Sequence, residues 1–80
     1  MAEVSFFELR WMNLFAKNLD YAIAKSGLSR AEVARRTGLS TGTITRYLKA
    51  ERSPKAYHVR RIAEVLGVRT DELLDIPTEF

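Results

Sequence analysis

The sequence predicts an all-α domain, compact and built of five helices, and two observations support this fold class. Apolar residues recur three and four positions apart in successive stretches, which is the pattern of helices buried on one side. Serine or threonine precedes these stretches and glycine follows three of them, as expected for helix caps. Eighty residues suffice for one domain. We expect an N-terminal helical extension at residues 1–12, the domain itself at 13–76 and a tail at 77–80.

The composition argues against several kinds of site. The chain has no cysteine and one histidine, and its carboxylates do not cluster, so we expect no disulfide, no metal and no other cofactor. It shows neither a nucleophile–base arrangement nor a phosphate-binding glycine loop, so we expect no enzyme. No apolar stretch is long enough to cross a membrane, and the N-terminus lacks the basic start of a secretory signal, which favours a cytoplasmic location.

The first helix is predicted from about Ser5 to Ser26. Ser5 and Glu8 have capping-box spacing, and Gly27 follows as the terminating residue. One apolar stripe runs along this helix and comprises Phe7, Trp11, Phe15, Leu19, Ala22 and Ile23. Two alternatives fit the pattern: a single long helix, or a short helix followed by a second one that Asn13 caps.

The start of this helix, the N-terminal arm, is apolar on a second side as well. Its apolar residues are Phe6, Phe7, Leu9, Trp11 and Met12. An element with more than one apolar face needs a second surface to pack on. The arm therefore either folds back over its own core or contacts a second subunit or a protein partner.

Residues 28–49 predict two short helices joined by a tight turn. Ser29 and Glu32 have capping-box spacing at the start of the first of them. Gly38 supplies the turn, and Ser40 offers an N-cap to the second. Three residues of that second helix should pack inward: Ile44, Tyr47 and Leu48. The arrangement is typical of a helix-turn-helix motif.

Two further helices follow the motif. Ser53 and Pro54 predict the start of the fourth, because proline suits the first helical position. Its inward stripe comprises Val59, Ile62, Ala63 and Leu66, and Gly67 ends it. Thr70 is expected to cap a short fifth helix whose acidic first turn suits the helix dipole, and Pro77 closes it.

Positive charge is concentrated in the middle of the chain. Residues 30–61 hold nine basic and two acidic side chains, a net charge of +7, whereas residues 1–29 are neutral and residues 62–80 carry −4. A localised basic segment indicates a polyanionic partner such as nucleic acid, and the alternative is a solvated basic face.

One long segment resembles the lambda-repressor/Cro class of helix-turn-helix domains, the XRE type of phage and bacterial regulators: ARRTGLSTGTITRYLKAERSP, followed by IAEVLGVRTDELL. The resemblance covers about Phe15 to Leu74. It implies five packed helices, with the motif formed by the second and third, a dimer on operator DNA and a recognition helix in the major groove. The chain departs from the family at Thr41 and Gly42, where a long polar residue is usual, and at Ala50, where glycine is common.

The recognition helix is expected at about residues 41–49. Four residues on its outer side are expected to read bases: Thr41, Gly42, Thr45 and Arg46. Arg46 is the main candidate, because a guanidinium can donate two hydrogen bonds to guanine. Six other residues are expected to bind DNA phosphates: Arg30, Ser40, Thr43, Lys49, Arg52 and Lys55.

The remaining polar residues are expected to form an ion pair or to face solvent. Either Arg35 or Arg36 is expected to pair with Glu32 along the helix. Three residues of the fourth helix are expected to be solvated: His58, Arg60 and Arg61. The sequence thus predicts a transcriptional regulator, of the phage or bacterial repressor type, that binds double-stranded operator DNA as a homodimer. The alternative is a protein-interaction module or antitoxin-type regulator whose apolar arm docks a protein partner.

Overall fold

The computed structural model describes residues 5–75, and their five helices confirm the predicted all-α fold. The N-terminal residues 1–4, residue 76 and the predicted tail at 77–80 lie outside the described residues. The helices are α1 (Phe6–Ser26), α2 (Arg30–Thr37), α3 (Thr41–Leu48), α4 (Ala56–Leu66) and α5 (Thr70–Leu74).

The first helix is continuous, which decides between the two alternatives for the start of the chain. The Ser5 hydroxyl accepts a hydrogen bond from the backbone N–H of Glu8 at 3.0 Å and so caps α1. The helix passes through Asn13 without a break and ends at Gly27, whose φ of 77° is left-handed. The predicted extension at residues 1–12 therefore contains the first turns of α1, and the proposed division of the chain at residue 13 stays a prediction.

The core lies between α1 and the other four helices. α1 packs against α3, α4 and α5, while α2 packs against α3 and α4. Each helix contributes at least one side chain that solvent does not reach, among them Phe15, Leu19, Val33, Ile44, Ile62 and Leu73. Helices α2 to α5 are short, so their stability comes mainly from this shared apolar core.

A buried asparagine on α1 forms hydrogen bonds to the C-terminal end of α5. The Asn18 side-chain amide donates hydrogen bonds to the backbone carbonyls of Leu73 and Asp75, each at 3.0 Å. These carbonyls belong to the end of α5, where they have no partner inside the helix. Asn18 thus fixes the five-residue α5 against α1 at a position 55 residues away in sequence.

Two predicted helix starts are wrong. α4 begins at Ala56 with Lys55 as N-cap, so the Ser53–Pro54 pair lies in the preceding loop. Pro54 suits extended backbone as well as a first helical turn, and here it lines a surface groove with Trp11. α5 begins at Thr70, which is therefore its first residue and not its cap. The start of α5 is stabilised instead by Glu72, whose carboxylate accepts from the Arg69 N–H at 2.7 Å.

The N-terminal arm is only partly exposed, which corrects the predicted partner surface. Met12 is 5% exposed and belongs to the core side of α1, because the helix has already reached the other helices at this point. Trp11 is half-buried and packs its ring against Phe15, with centroids 6.2 Å apart. The exposed part of the arm consists of Phe6, Phe7 and Leu9, at 69%, 81% and 45%. Phe7 is the first residue of the predicted apolar stripe and lies beyond the end of the core.

Candidate nucleic-acid interface

Helix α2 and the turn after it are formed by local hydrogen bonds that the sequence encodes. The Ser29 hydroxyl accepts from the Glu32 N–H at 3.1 Å and caps α2. At the other end Gly38 has a φ of 79°, which a residue without a Cβ adopts at little steric cost. Its N–H donates to the carbonyl of Ala34 at 2.9 Å. The Ser40 hydroxyl then accepts from the Thr43 N–H at 3.0 Å and starts α3.

The third helix has one buried and one exposed face. Ile44 and Tyr47 are 0% and 1% exposed and form part of the core, as the spacing predicts. Leu48 is half-buried and packs against the same core. On the opposite side the side chains of Thr41 and Arg46 are exposed. The recognition helix itself ends at Leu48, one residue earlier than expected, with Lys49 as its C-cap.

The predicted base-reading residues share the outer part of α3. Thr41, Gly42 and Arg46 are exposed and Thr45 is half-buried. A Cβ added at Gly42 would meet only the Ser40 hydroxyl, at 3.8 Å, which is an ordinary contact. The glycine is therefore not required by packing within the described residues, and its effect is to leave the backbone of the first turn uncovered.

The predicted phosphate-binding residues occupy the helix ends. Arg30 is the first residue of α2 and is exposed, as are Lys49, Arg52 and Lys55 at the end of α3 and in the loop to α4. The remaining two lie at the start of α3, where the hydroxyls of Ser40 and Thr43 are 2.9 Å apart. The structure therefore places four positive charges beside the motif and two hydroxyls at the N-terminus of α3.

Two other basic residues of α2 are paired within their own helix. The Glu32 carboxylate accepts hydrogen bonds from both Arg35 and Arg36, and not from one of them as expected. The hydrogen bonds from Arg35 and then Arg36 lower the pKa of Glu32 to about 2. The Glu32 carboxylate accepts from these guanidiniums, and among residues 5–75 the Ser29 N–H does not donate to it, so the second bond of the capping box is not formed. The basic surface thus depends more on the end of α3 and the following loop.

The sequence interpretation missed two residues of α4 that contact the motif. His58 was expected to be solvated, but its Nδ1 lies 2.6 Å from the Tyr47 hydroxyl. Burial, and secondly the nearby charge of Lys55, lower the pKa of His58. Arg61 was also expected to be solvated, but it donates to the carbonyls of Thr37 and Arg36. One signal was available in the sequence: a tyrosine on an inward stripe needs a hydrogen-bond partner for its hydroxyl.

The end of α3 holds an alanine in an unusual conformation. Ala50 has a φ of 56°, the left-handed region in which the Cβ of an L-residue is strained. Its N–H donates to the Tyr47 carbonyl at 3.1 Å, and the Glu51 N–H donates to the Arg46 carbonyl at 2.9 Å. These two bonds satisfy carbonyls in the last turn of α3. In this type of helix ending the left-handed position is usually occupied by glycine. The alanine noted at this position therefore occupies a left-handed backbone position, where glycine would be less strained.

Residues 5–75 contain neither a metal-binding cluster nor a membrane-spanning helix. Within this range the histidine, aspartate and glutamate side chains form no group that could hold a metal ion. None of the helices in the same range is both long and apolar enough to span a bilayer.

The chain is similar in sequence to known helix-turn-helix proteins. It matches the helix-turn-helix family over residues 19–73. Over 59 residues it is 37% identical to an uncharacterized HTH-type transcriptional regulator of Haemophilus influenzae, a match that includes 74% of this chain. The match covers 24% of that relative, so the chain spans about a quarter of the relative's length.

The fold is also similar to two solved structures. One is the solution structure of the SOS-response transcriptional repressor LexA from Eubacterium rectale, with a TM-score of 0.79, 25% identity, and coverage of 86% of this chain and 73% of that one. The other is the crystal structure of the hypothetical transcription factor NHTF from Neisseria, with a TM-score of 0.81, 25% identity, and coverage of 96% and 87%. The chain therefore belongs to the XRE-type helix-turn-helix family, as its sequence predicts.

Proposed function

We propose that this protein is a sequence-specific transcriptional regulator that reads operator DNA with α3 in the major groove. The observation that carries the proposal is the exposed outer face of α3, with Arg46 on it, inside a segment of net charge +7. A helix fits the major groove, where each base pair presents a distinct set of donors and acceptors. The similarity to a LexA repressor supports repression as the mode of regulation.

In this proposal Arg46 is the main base reader. Its guanidinium can donate two parallel hydrogen bonds to O6 and N7 of guanine, which contributes about 1–3 kcal/mol of discrimination. Thr41 and Thr45 add a hydroxyl contact or pack a methyl group against thymine. Gly42 places no side chain at its own position in the first turn of α3, so that the backbone at this position can approach a base edge closely.

The phosphate contacts come from residues around the motif. Lys49, Arg52 and Lys55 follow α3 and meet one DNA strand, while Arg30 joins the exposed N–H groups at the start of α2. The hydroxyls of Ser40 and Thr43 complete the set at the start of α3. These contacts fix the position of the protein on the duplex and carry no sequence information.

The proposal includes a dimer on DNA. Regulators with this motif read two half-sites, one in each of two major grooves on the same side of the duplex. The exposed aromatic end of α1, formed by Phe6 and Phe7, is the surface that we assign to the second subunit or to a protein partner.

Selection of bound sites from random DNA tests the proposal. The expected result is a recurring sequence, arranged as a palindrome with half-sites about one helical turn, roughly 10 base pairs, apart. Affinity for the selected site should fall steeply as the salt concentration rises, because phosphate contacts release counterions. Absence of any enriched sequence, together with binding that does not respond to salt, would overturn the proposal.

The second candidate function is a protein-interaction module. The 81% exposure of Phe7 and the 69% exposure of Phe6 favour it, because adjacent aromatic side chains at a helix end are typical of contact surfaces. Selection of bound DNA sites distinguishes the two functions, because a protein-interaction module would enrich no sequence; where a sequence is enriched, a Phe7→Ser variant shows what the arm contacts. It should leave DNA selection unchanged if the arm serves only a protein partner, and should abolish paired half-sites if the arm joins two subunits.

A further inference from the structure

Helix α4 contacts both helices of the motif, and two of its side chains form hydrogen bonds to them. His58 contacts α3 and Arg61 contacts the end of α2. The two residues are three positions apart, so they lie on the same side of α4. Neither is among the residues assigned to bases or phosphates above.

The contact to α3 fixes the rotation of that helix about its own axis. Tyr47 lies on the inner face of α3, and its hydroxyl is 2.6 Å from Nδ1 of His58. Its ring also packs edge-on against Phe15 of α1, with centroids 5.6 Å apart. Because Tyr47 is 1% exposed, its hydroxyl has little access to water and depends on His58. Rotation of α3 would break this bond and the aromatic contact together.

The contact to α2 fixes the position of the turn. Nε and a terminal nitrogen of Arg61 each donate at 3.3 Å, to the carbonyls of Thr37 and Arg36 respectively. The last carbonyls of a helix have no partner inside it and carry the negative end of the helix dipole, so a guanidinium is well suited to them. The hydroxyl of buried Thr37 in turn accepts from the Leu39 N–H at 3.3 Å, inside the turn that leads to α3.

We propose that His58 and Arg61 are positioning residues for DNA reading, which together set the angle and rotation of α3 relative to α2. The inference rests on the proposed function, because it concerns how the reading face is held. A two-donor contact of Arg46 with guanine needs hydrogen-bond distances and good alignment, whereas phosphate contacts by long side chains tolerate displacement. Loss of the α4 contacts should therefore reduce discrimination between DNA sequences more than it reduces general DNA binding.

The first test compares Arg61→Met with Arg60→Met. Both substitutions remove one positive charge from neighbouring positions of α4, but of these two arginines only Arg61 donates to carbonyls of α2 in the described part of the chain. We expect Arg61→Met to lower the ratio of affinities for the selected site and for random DNA about tenfold, and Arg60→Met to leave it unchanged. The affinities are measured well below the unfolding temperature of each variant, so that a loss of stability alone does not change the ratio.

The second test compares Tyr47→Phe with Tyr57→Phe. Each substitution removes one hydroxyl and keeps the ring, and Tyr57 is an exposed residue of α4 that serves as the control. The expected result is a fall in the affinity ratio for Tyr47→Phe alone. Amide chemical shifts should also change along the outer face of α3 in Tyr47→Phe and Arg61→Met, but not in the two controls.

The outcomes separate this inference from the proposed function. If each variant matches its control in both the affinity ratio and the α3 shifts, the positioning role is overturned while DNA reading stands. If the wild-type chain selects no sequence, the proposed function fails, and the α3 shifts alone decide whether α4 sets the position of α3. Should Arg61→Met fail to fold, Arg61→Lys answers the same question, since it keeps the charge and loses the two-donor fork.

Discussion

The two faces of α3 differ in what surrounds them, although they belong to a helix of eight residues. On the inner face Tyr47 packs against Phe15 of α1 and bonds to His58 of α4, and Ile44 is completely buried. On the outer face Thr41 and Arg46 are exposed. A helix this short is not stable alone, so its outer face has a fixed shape only because its inner face is packed. Substitutions on the inner face should therefore alter folding, and those on the outer face should alter binding alone.

The largest effect is expected from Ile44→Ala on the inner face. Truncation of a fully buried isoleucine removes apolar contacts and leaves a cavity, which lowers the free energy of unfolding by about 2–5 kcal/mol. Thr41→Ala on the outer face should change it by less than about 0.5 kcal/mol. Urea denaturation of both variants measures the difference. Equal effects of the two substitutions would refute the division of α3 into two faces.

A smaller effect on binding is expected from Lys49→Ala at the end of the outer face. Lys49 is an exposed C-cap whose backbone N–H bonds the Thr45 carbonyl at 3.0 Å, a bond that alanine retains. The substitution should weaken binding to the selected site and to random DNA alike, and the slope of log affinity against log salt should fall by about 0.9. Titration at several salt concentrations measures both quantities. A change in which sequence is preferred would show that Lys49 reads bases instead.

Ala50→Gly should make the protein more stable. Relief of the strained left-handed backbone outweighs the extra entropy of glycine in the unfolded chain, so the free energy of unfolding should rise by about 0.5–1 kcal/mol. Gly67→Ala is the matched control, since Gly67 has a φ of 70° and a Cβ there would meet no atom within 4 Å. The control should lose about 1 kcal/mol from backbone strain alone. Thermal or urea unfolding that ranked the two variants in the opposite order would rule out this explanation.

The smallest effect concerns pH and the contact behind α3. His58 is the chain's only histidine, and its burial lowers its pKa in the folded protein below the usual value of about 6.5. The folded state therefore favours neutral His58. This contribution to stability is fully present above the pKa of the unfolded chain and is lost as the pH falls through the lower pKa of the folded protein.

Replacement of His58 by glutamine should remove this pH dependence. Between pH 7 and pH 5 the wild-type protein should lose more stability than His58→Gln, as measured by urea unfolding at each pH. The lowered pKa of Glu32, about 2 in the folded chain, is the same in both proteins. It therefore does not contribute to the difference between their stability curves. Parallel curves for the two proteins would mean that burial of His58 has no energetic consequence.

The features that the sequence predicted correctly are set by neighbouring residues. The caps at Ser5, Ser29 and Ser40 each depend on a hydroxyl and a backbone N–H three positions later. The inward positions of Ile44 and Tyr47 follow from the helical period. Each of these signals depends on a few neighbouring residues, and contacts with the rest of the fold do not override it. The five helices of residues 5–75 and the helix-turn-helix motif could therefore be predicted.

The features that the sequence did not predict depend on residues far apart in the chain. Arg61 and Thr37 are 24 positions apart in the sequence, and His58 and Tyr47 are 11 positions apart. Neither hydrogen bond therefore follows from a local sequence pattern. Burial of Met12 likewise depends on where α1 meets the other helices. The start of α4 was misplaced because Pro54 suits both a helix start and an extended loop. The roles of Arg46 and the phosphate-binding residues stay predictions, since they depend on a partner.

The most direct test of DNA reading by the outer face of α3 is the affinity ratio of Arg46→Ala for the selected site and random DNA. Lys49→Ala, which removes the same charge, is the control. The ratio should fall about 5- to 150-fold in Arg46→Ala and stay constant in Lys49→Ala, with the free energy of unfolding unchanged in both. An equal loss on both DNAs in Arg46→Ala would contradict the account, because Arg46 would then contribute charge and no sequence recognition.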